Sequence, residues 1–493
     1  MLTLLLACSA SPFETGATDS GGSSGPSLVE RVELARLEAH LAALQGHADA
    51  HQGTRLAGGG GYEAGLDWAE ALWLDVGLSP VRQAFPHRVF EELSEPVLSW
   101  EGAPDQPEIT TFQNSPPGEV RATLQGVDLL LPPGAENAST SGCEASDFEG
   151  FPSGAVALLQ RGTCTFTEKV ANAQAAGAAA VILFNEGQPG RQDAVEGTLD
   201  PAVELDIPAL GASFALGEAL AALGPVEVQL RVDTRLEQIT VHNLLVDLPG
   251  ASDELVVVGA HLDSVQAGPG INDNGSGTAL VVELALQAVQ AQLQPESTLR
   301  FALWGAEESG LIGSSAYVAG LSAEELDRHV ANLNFDMVAS PNGVRFVYDG
   351  DDSADLAGYP APEGSDALEA LFTDWFDQEG LPWKATAFSG RSDYGPFILA
   401  GVPAGGLFTG AEGSKLDTEV DEYGGQANLA YDACYHQACD TLDNVDLDLF
   451  LEMARAAAHA TESLAAGPPL TARQPVLLAR PIDLPGCSHR VLR

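Results

Sequence analysis

Apolar residues recur at helical spacing in two segments near the start of the chain. The first covers residues 27–44 and the second 62–78, where Gly77 and Pro80 mark the end. From about residue 91 to 235 the pattern changes to short β-type runs between Gly and Pro, such as 155–159 and 180–184. This pattern predicts two amphipathic helices followed by a separate, strand-rich module.

Strand-like and helical patterns alternate after Val241. Apolar runs at 255–259, 299–304 and 331–335 predict strands, and helical spacing follows at 277–292, 309–317, 366–377 and 448–464. Strands that are apolar on both faces belong to sheets that helices cover on both sides. We therefore predict an α/β fold in which helices sandwich a mostly parallel sheet.

The length of 493 residues exceeds a single core of ordinary size, so we expect at least two domains. Changes in composition divide the chain into a leader and flexible tether (1–26), the first part of a main domain (27–90), an inserted module (91–237), the rest of the main domain (238–466) and a Pro-rich C-terminal extension (467–493). The module thus interrupts the main domain.

The charge balance is strongly acidic. Asp and Glu number 70 against 22 Lys and Arg, which gives a formal net charge of -48. Nucleic acid would be repelled by such a protein, and we interpret the carboxylates as a solvated surface. No apolar run approaches the roughly 20 residues that a membrane-spanning helix needs, so we expect no transmembrane segment.

The chain begins with a short apolar run that ends in Leu6, Ala7 and Cys8. This run resembles a bacterial lipobox, in which the cysteine is lipidated after cleavage, although no basic segment precedes it. Ser, Gly and Thr are then frequent up to Ser27, as in a flexible tether. We expect an exported protein, either extracellular or a lipoprotein anchored to a membrane through Cys8.

Four of the six cysteines form two pairs that are close in sequence. Cys143 and Cys164 lie 21 residues apart, and Cys434 and Cys439 lie 5 apart. Disulfides at these pairs are compatible with export. A metal site is the alternative, although no Cys-x-x-Cys spacing occurs, and Cys487 has no assigned partner.

Residues of the types that bind metal ions follow the predicted strands. In chain order they are His261, Asp263, Asp273, Glu307, Glu308 and Asp336. The carboxyl ends of strands in an open α/β sheet meet at one edge, where sites are built. Imidazole and carboxylate both suit zinc, and one carboxylate can bridge two ions. The sequence therefore predicts a carboxylate-rich metal hydrolase.

Several of these residues stand in longer, more specific segments. The segments are GAHLDS at 259–264, GINDNGSG at 270–277, WGAEE at 304–308, LIGS at 311–314, NFDM at 334–337, SGRSD at 389–393, GGLFTG at 405–410 and CYH at 434–436. Together they closely resemble the M28 aminopeptidases, in particular the secreted bacterial leucine-preferring type. The resemblance implies the zinc-peptidase fold, of the phosphorylase/hydrolase-like kind, and cleavage of peptides that have a free N-terminus.

The resemblance also implies two zinc ions per chain. His261 and Asp336 would bind one ion, Glu308 and His436 would bind the other, and Asp273 would bridge them. The preferred N-terminal residue would be large and apolar, as leucine is. The secreted relatives also bind calcium, to which Asp446 and Asp448 could contribute here, and we expect a monomer.

Further residues match positions that support catalysis in the family. Glu307 would be the general base, and the hydroxyl of Tyr435 would stabilise the tetrahedral intermediate. Asp263 would hold the imidazole of His261 in the correct tautomer. The disulfide loop from Cys434 to Cys439 would pre-organise His436.

Three more positions match the substrate site of the family. Arg391 would contact the substrate backbone or the product carboxylate. Met337 and Phe408 would line an apolar pocket for the N-terminal side chain. These residues therefore imply the expected preference for leucine-like termini.

The inserted module resembles a protease-associated (PA) domain, a β-rich α+β fold. Residues 142–143, 154–166 and 169–179 carry that likeness. No catalytic set is evident in it. We expect it to cover or gate the active-site cleft, or to stabilise the fold.

Other functions on the same scaffold provide the alternatives. A glutaminyl cyclase, a carboxypeptidase or a dipeptidase would use similar ligands, whereas a receptor-like protein would be expected to have lost some, and none is missing here. A serine hydrolase would need a Gly-x-Ser-x-Gly turn after a strand, and the only match, residues 21–25, lies in the tether. The predicted general base and the predicted disulfide loop favour the aminopeptidase.

Overall fold

A computed structural model describes residues 26–201 and 203–467 of the protein. Its strands are β1 (Val81–Trp100), β2 (Ile109–Thr111), β3 (Gly118–Gly126), β4 (Val156–Gln160), β5 (Ala180–Phe184), β6 (Ala209–Ala212), β7 (Glu227–Leu248), β8 (Leu255–His261), β9 (Thr298–Trp304), β10 (His329–Phe335), β11 (Phe346–Tyr348), β12 (Lys384–Thr386) and β13 (Ala404–Phe408). The expected lipidation site Cys8 and the unassigned Cys487 lie outside the described residues.

The helices cover both faces of the sheet. They are α1 (Leu28–Arg31), α2 (Leu34–Asp49), α3 (Gly60–Asp75), α4 (Phe166–Ala175), α5 (Phe214–Leu223), α6 (Gly277–Gln290), α7 (Ile312–Ala319), α8 (Ala323–Asp327), α9 (Ser365–Glu379), α10 (Tyr394–Leu399), α11 (Asp417–Tyr423) and α12 (Leu447–Ala465). Within the described ranges, no helix combines the length and the apolar character needed to cross a membrane.

The strands lie in the order β12-β11-β13-β10-β8-β9-β7-β3-β4-β5-β6-β2, and β1 pairs with β7. Strands β9, β8, β10 and β13 are parallel neighbours, whereas β7 and β11 join this group antiparallel. The predicted α/β fold with a helix-covered sheet is confirmed, and the two antiparallel strands make the sheet mixed.

The central strands need cover on both faces because their side chains are apolar on both. Every residue of β8 is buried, and α6, which packs against it, is buried from Gly277 to Ala288. On the other face Trp304 of β9 packs against Tyr317 of α7 and Phe397 of α10. Removing this apolar surface from water on both sides stabilises the central sheet.

Two long strands join the inserted module to the main domain. β1 and β7 pair antiparallel from Val81 opposite Leu245 to Trp100 opposite Val228. One end of β7 pairs with β9 and the other end with β3. The ribbon therefore crosses the expected module boundaries at 90/91 and 237/238, and those boundaries stay a prediction.

The first predicted helix is interrupted. Helix α1 ends at Arg31, α2 begins at Leu34, and the backbone of Val32 and Glu33 is extended between them. The side chain of Ser27 caps α1 by accepting from the N–H of Glu30. The apolar spacing runs through this break, which is why periodicity alone predicted one helix.

Candidate metal centre

The five predicted ligands come from separate elements that meet at the carboxyl edge of the sheet. His261 is the last residue of β8, and Asp336 directly follows β10. Glu308 lies in the loop after β9, and Asp273 lies in an irregular turn, Ile271–Ser276, before α6. His436 comes from the loop that precedes α12. Parallel strands carry their following loops to one edge, and this brings the ligands together.

Asp273 lies between the two imidazoles. Its Oδ1 is 3.4 Å from Nε2 of His261, and its Oδ2 is 3.2 Å from Nε2 of His436. Oδ1 of Asp336 is 3.3 Å from the same nitrogen of His261. Oε2 of Glu308 is 2.9 Å from Nε2 of His436. The ligands thus form two groups that share Asp273.

Three atoms of these groups are buried without a hydrogen bond among the residues that the structure describes. They are Nε2 of His261, Oε1 of Glu308 and Oδ1 of Asp336. A buried polar atom that is left unpaired costs about 1 to 3 kcal/mol. Imidazole nitrogen and carboxylate oxygen are zinc ligands, so these residues fit a bound metal ion that would satisfy the three atoms.

The carboxylates raise the pKa of both imidazoles. Burial by itself would lower the pKa of His261, but the charge of Asp336 raises it well above its usual value. Burial also opposes the charge on His436, and its contacts with Asp273 and Glu308 raise its pKa to about 10. A field that favours a proton on each imidazole also favours a divalent cation beside it.

The adjacent glutamates have different surroundings. Glu308 contacts His436, whereas Oε2 of Glu307 stays 3.8 Å from Nε2 of His261. Burial raises the pKa of Glu307 well above its usual value, and burial together with the charge of Asp273 raises that of Glu308 to about 7. Glu307 therefore lies beside the centre without a contact to an imidazole as close as that of Glu308.

Left-handed backbone conformations occur next to the predicted ligands. Ala306, Met337 and His436 have φ values of 56°, 50° and 58°. Residues with a Cβ adopt this region at a cost and keep it where the surrounding structure holds them, which is frequent at functional sites. Ala306 directly precedes Glu307, and Met337 directly follows Asp336. The unusual backbone at these two positions therefore helps to set the direction in which the Glu307 and Asp336 side chains leave the chain.

Asp263 supports the centre through backbone contacts. Its carboxylate accepts the N–H groups of Glu307 and Glu308 at 3.1 and 3.3 Å. Nδ1 of His261 lies 3.2 Å from the backbone oxygen of Asp263 and 3.7 Å from its carboxylate. Asp263 therefore holds the glutamate loop with its side chain, while its carbonyl contacts the imidazole.

Two supporting residues were missed by the sequence prediction. Arg55 is fully buried, and its guanidinium donates to the carbonyl groups of Leu262 and Gly270 in the loops that carry His261 and Asp273. Asp440 accepts the N–H groups of Asn272 and Asp273. Asp440 directly follows Cys439, which was the signal available for that residue. These two residues join the three ligand loops.

Another buried group contacts Asp336. The hydroxyl of Ser392 donates to Oδ2 of Asp336 at 2.6 Å, and Nδ2 of Asn334 donates to Oγ of Ser392 at 2.8 Å. Both residues belong to segments that the sequence comparison singled out. Neither was predicted to have a function.

The predicted substrate residues lie beside the centre. Nη2 of Arg391 donates to the hydroxyl oxygen of Tyr435 at 3.0 Å, and Nη1 donates to Glu412 at 2.7 Å. The Tyr435 ring stacks on the imidazole of His436, with 3.8 Å between ring centroids. This contact places the Tyr435 and Arg391 pair next to the ligands.

Met337 and Phe408 lie on neighbouring strand ends. Met337 follows Asp336 and is buried, and its carbonyl accepts the N–H of Thr409, which follows Phe408. Phe408 stacks on Phe346. The two predicted pocket residues are therefore brought close to one another next to a ligand.

Both predicted disulfides are present. Cys143 joins Cys164 in the inserted module, and Cys434 joins Cys439 around His436. Asp446, a candidate calcium ligand, accepts the backbone N–H groups of Asp448 and Leu449 as the N-cap of α12. Calcium binding stays a prediction.

Family models match two parts of the chain. Residues 243–461 match peptidase family M28, and residues 127–220 match the PA domain. An aminopeptidase from Pseudomonas aeruginosa is 40% identical over 429 residues, which cover 85% of this chain and 78% of the relative. Leucine aminopeptidase 2 from Trichophyton rubrum is 36% identical over 439 residues, which cover 88% and 84%.

A solved structure has a similar fold. The aminopeptidase from Aneurinibacillus sp. strain AM-1 aligns with a TM-score of 0.69 and 26% identity. The alignment covers 92% of this chain and 98% of that chain. The similarity therefore extends over both the main domain and the module.

Proposed function

The chain belongs to peptidase family M28, and on that premise we propose that this metallo-aminopeptidase uses two zinc ions to remove N-terminal residues from peptides. His261 and Asp336 would hold one ion, Glu308 and His436 would hold the other, and Asp273 would bind both. The observation that carries the proposal is that Asp273 presents one oxygen to each imidazole. A carboxylate in that position suits a bridging ligand.

The residues of the chain would divide the chemistry among them. Zinc, when bound, would supply Lewis acidity toward the scissile carbonyl and would make a water molecule more acidic. The carboxylate of Glu307 would accept a proton from water and later donate that proton to the leaving amine. Oε2 of Glu307 lies 3.8 Å from Nε2 of His261. Glu307 is thus beside the proposed ligands, but farther from an imidazole than they are.

Tyr435 and Arg391 would act on the carbonyl side of the scissile bond. Arg391 donates to the phenol oxygen, and the phenol O–H can then donate to the oxygen on which negative charge develops. Met337 and Phe408 would line the pocket for the N-terminal side chain, because both side chains are apolar and the backbone contact between Met337 and Thr409 brings them together next to Asp336. These apolar side chains and the leucine aminopeptidase relative support a preference for leucine-like residues.

We also propose that the protein is exported and monomeric, and that its PA module covers or gates the cleft or stabilises the fold. The two disulfides support export, since they persist in oxidising compartments. We further propose a lipid anchor at Cys8 and a calcium site. Mass spectrometry of the protein from its native host would detect a lipid on Cys8.

Hydrolysis of aminoacyl p-nitroanilides tests the proposed function. The purified protein is stripped with a chelator, titrated with zinc and assayed on free-amine leucine, glutamate and lysine substrates. We expect activity to return at two zinc ions per chain and to be highest for leucine. Saturation at one ion would contradict the dinuclear centre. Turnover of N-terminal Gln without hydrolysis of free-amine substrates would instead indicate a glutaminyl cyclase.

A further inference from the structure

Two hydrogen bonds form a chain from Asn334 through Ser392 to Asp336, and only one assignment of donors and acceptors fits them. An ionised carboxylate can only accept, so the single O–H of Ser392 is committed to Oδ2 of Asp336, 2.6 Å away. The oxygen of Ser392 must then accept its other bond. Asn334 supplies the donor, with Nδ2 at 2.8 Å. All three side chains are buried, so water does not compete freely for these bonds.

The other oxygen of Asp336 is the one that faces the centre. Oδ1 is buried without a hydrogen bond among the described residues and lies 3.3 Å from Nε2 of His261. The bond from Ser392 to Oδ2 therefore sets the rotation of the carboxylate. If Ser392 turned its hydrogen toward another acceptor, Oδ2 would lose its partner and the carboxylate could rotate.

We propose that Asn334 is a positioning residue for metal binding, which acts through Ser392 to keep Oδ1 of Asp336 directed at the metal. Its amide donor occupies the oxygen of Ser392 and so leaves the hydroxyl hydrogen to Asp336. This inference rests on the proposed role of Asp336 as a zinc ligand. It adds that a residue without contact to the metal controls the affinity of one zinc ion.

The chain contains a matched control two residues earlier. Asn332 lies on β10 on the same face as Asn334 and is also buried. In the described part of the chain, neither of its amide atoms has a hydrogen-bond partner. A substitution at Asn332 therefore changes a buried amide of the same strand without touching the bond to Ser392.

The experiment compares zinc affinity in Asn334→Leu and Asn332→Leu. Each full-length variant is stripped of metal and titrated with zinc against a chromophoric chelator, so that the two binding steps are resolved without an activity assay. We expect Asn334→Leu to weaken one step by roughly 10-fold or more, the usual effect of losing a group that orients a ligand. The other step, and both steps in Asn332→Leu, should match the wild type.

A double-variant cycle tests whether Asn334 acts through Ser392. Ser392→Ala should weaken the same zinc step, and adding Asn334→Leu should weaken it no further, because the serine oxygen is already gone. Independent, multiplying effects would overturn the proposal, and so would an unchanged affinity in Asn334→Leu. Equal weakening of both zinc steps would point to general destabilisation and would also overturn it.

Two further measurements distinguish a wrong role for Asn334 from a misfolded variant and from a wrong proposed function. If Asn334→Leu does not fold, as judged by circular dichroism, the pair Asn334→Ala and Asn332→Ala is measured with the same expectations, since truncation avoids a clash. Wild-type protein that binds no zinc would contradict the proposed function itself. Wild-type protein that binds two ions, with an unaltered Asn334 variant, would contradict only the role of Asn334.

Discussion

Glu307 and Glu308 are neighbours in the chain, and their surroundings suit them to different roles. Glu308 contacts the imidazole of His436, whereas Glu307 stands 3.8 Å from that of His261. The carboxylate of Asp263 accepts both of their backbone N–H groups and so holds the backbone from which the two side chains project. These surroundings support the proposed roles, in which Glu308 would bind metal and Glu307 would move a proton.

We expect Glu307→Gln to lower kcat by about 10²- to 10⁴-fold, because the amide cannot take a proton from water. Zinc content should stay at the wild-type value. Steady-state hydrolysis of leucine p-nitroanilide and metal analysis of the same sample provide the two readouts. Glu308→Gln is the matched control and should lose zinc affinity. A Glu307→Gln variant with wild-type kcat would exclude Glu307 as the general base.

At the scale of elements, two contacts join the loop of His436 to the rest of the centre. The disulfide between Cys434 and Cys439 closes this loop, and Asp440 then accepts the N–H groups of Asn272 and Asp273. The loop therefore depends on a covalent link and on hydrogen bonds to the segment that carries the bridging carboxylate.

We expect the double substitution Cys434→Ser and Cys439→Ser to weaken zinc binding by about 10-fold or more, because His436 would no longer be held in its left-handed conformation. Chelator competition measures the affinity. Cys143→Ser with Cys164→Ser removes the disulfide of the inserted module and is the control. Equal zinc affinities in the two double variants would refute a specific role for the loop.

Another contact between elements attaches the N-terminal helix α2 to α6. Glu283 of α6 has a fully buried side chain that accepts from Arg36 and contacts His40, both in α2. Burial by itself would raise the pKa of Glu283, but the contacts with His40 and Arg36 lower it below its usual value. The ionised form is therefore favoured by folding.

The stabilisation by Glu283 should depend on pH. The pKa of Glu283 is lower in the folded state than its usual value of 4.5. The stabilisation by Glu283 is therefore complete at pH values above 4.5 and is lost as the pH falls through the lower folded-state pKa. We expect Glu283→Gln to cost about 1 to 2 kcal/mol at pH 7, because Arg36 loses its charged partner while solvent at its partly exposed side chain screens much of the interaction. Urea unfolding with chelator present measures this difference. A difference that stayed constant down to pH 3 would contradict the assignment.

At the scale of the whole molecule, the formal charge of -48 sets a general electrostatic cost. Like charges on a folded surface repel one another, and salt screens them over a Debye length that falls from about 30 Å at 0.01 M to about 3 Å at 1 M. Screening of this repulsion by salt therefore stabilises the compact folded state more than the expanded unfolded state.

We expect the Tm to rise by a few degrees between 10 mM and 500 mM NaCl, with zinc concentration held constant. Differential scanning fluorimetry measures the shift. A Tm that is insensitive to NaCl would show that the carboxylates are too far apart or too well paired to repel one another.

The architecture was predictable where a pattern repeats along the chain. The runs at 255–259, 299–304 and 331–335 became the parallel strands β8, β9 and β10, because apolar side chains on both faces require a covered sheet. The ribbon of β1 and β7 was not predicted as two continuous strands. Its length is set by pairing across 128 to 164 residues, from Trp100 with Val228 out to Val81 with Leu245, and no local period encodes such pairing.

The sequence by itself determined which residue types stand after each apolar strand, and therefore that imidazole and carboxylate groups would meet at one edge. Strand periodicity is local, so His261 and Asp336 could be placed from it. Only the tertiary structure decided that Asp273 lies between two imidazoles and that Asn334 donates to Ser392. Such contacts join residues 12 to 163 positions apart, and their direction depends on packing around buried polar atoms, which no local pattern specifies.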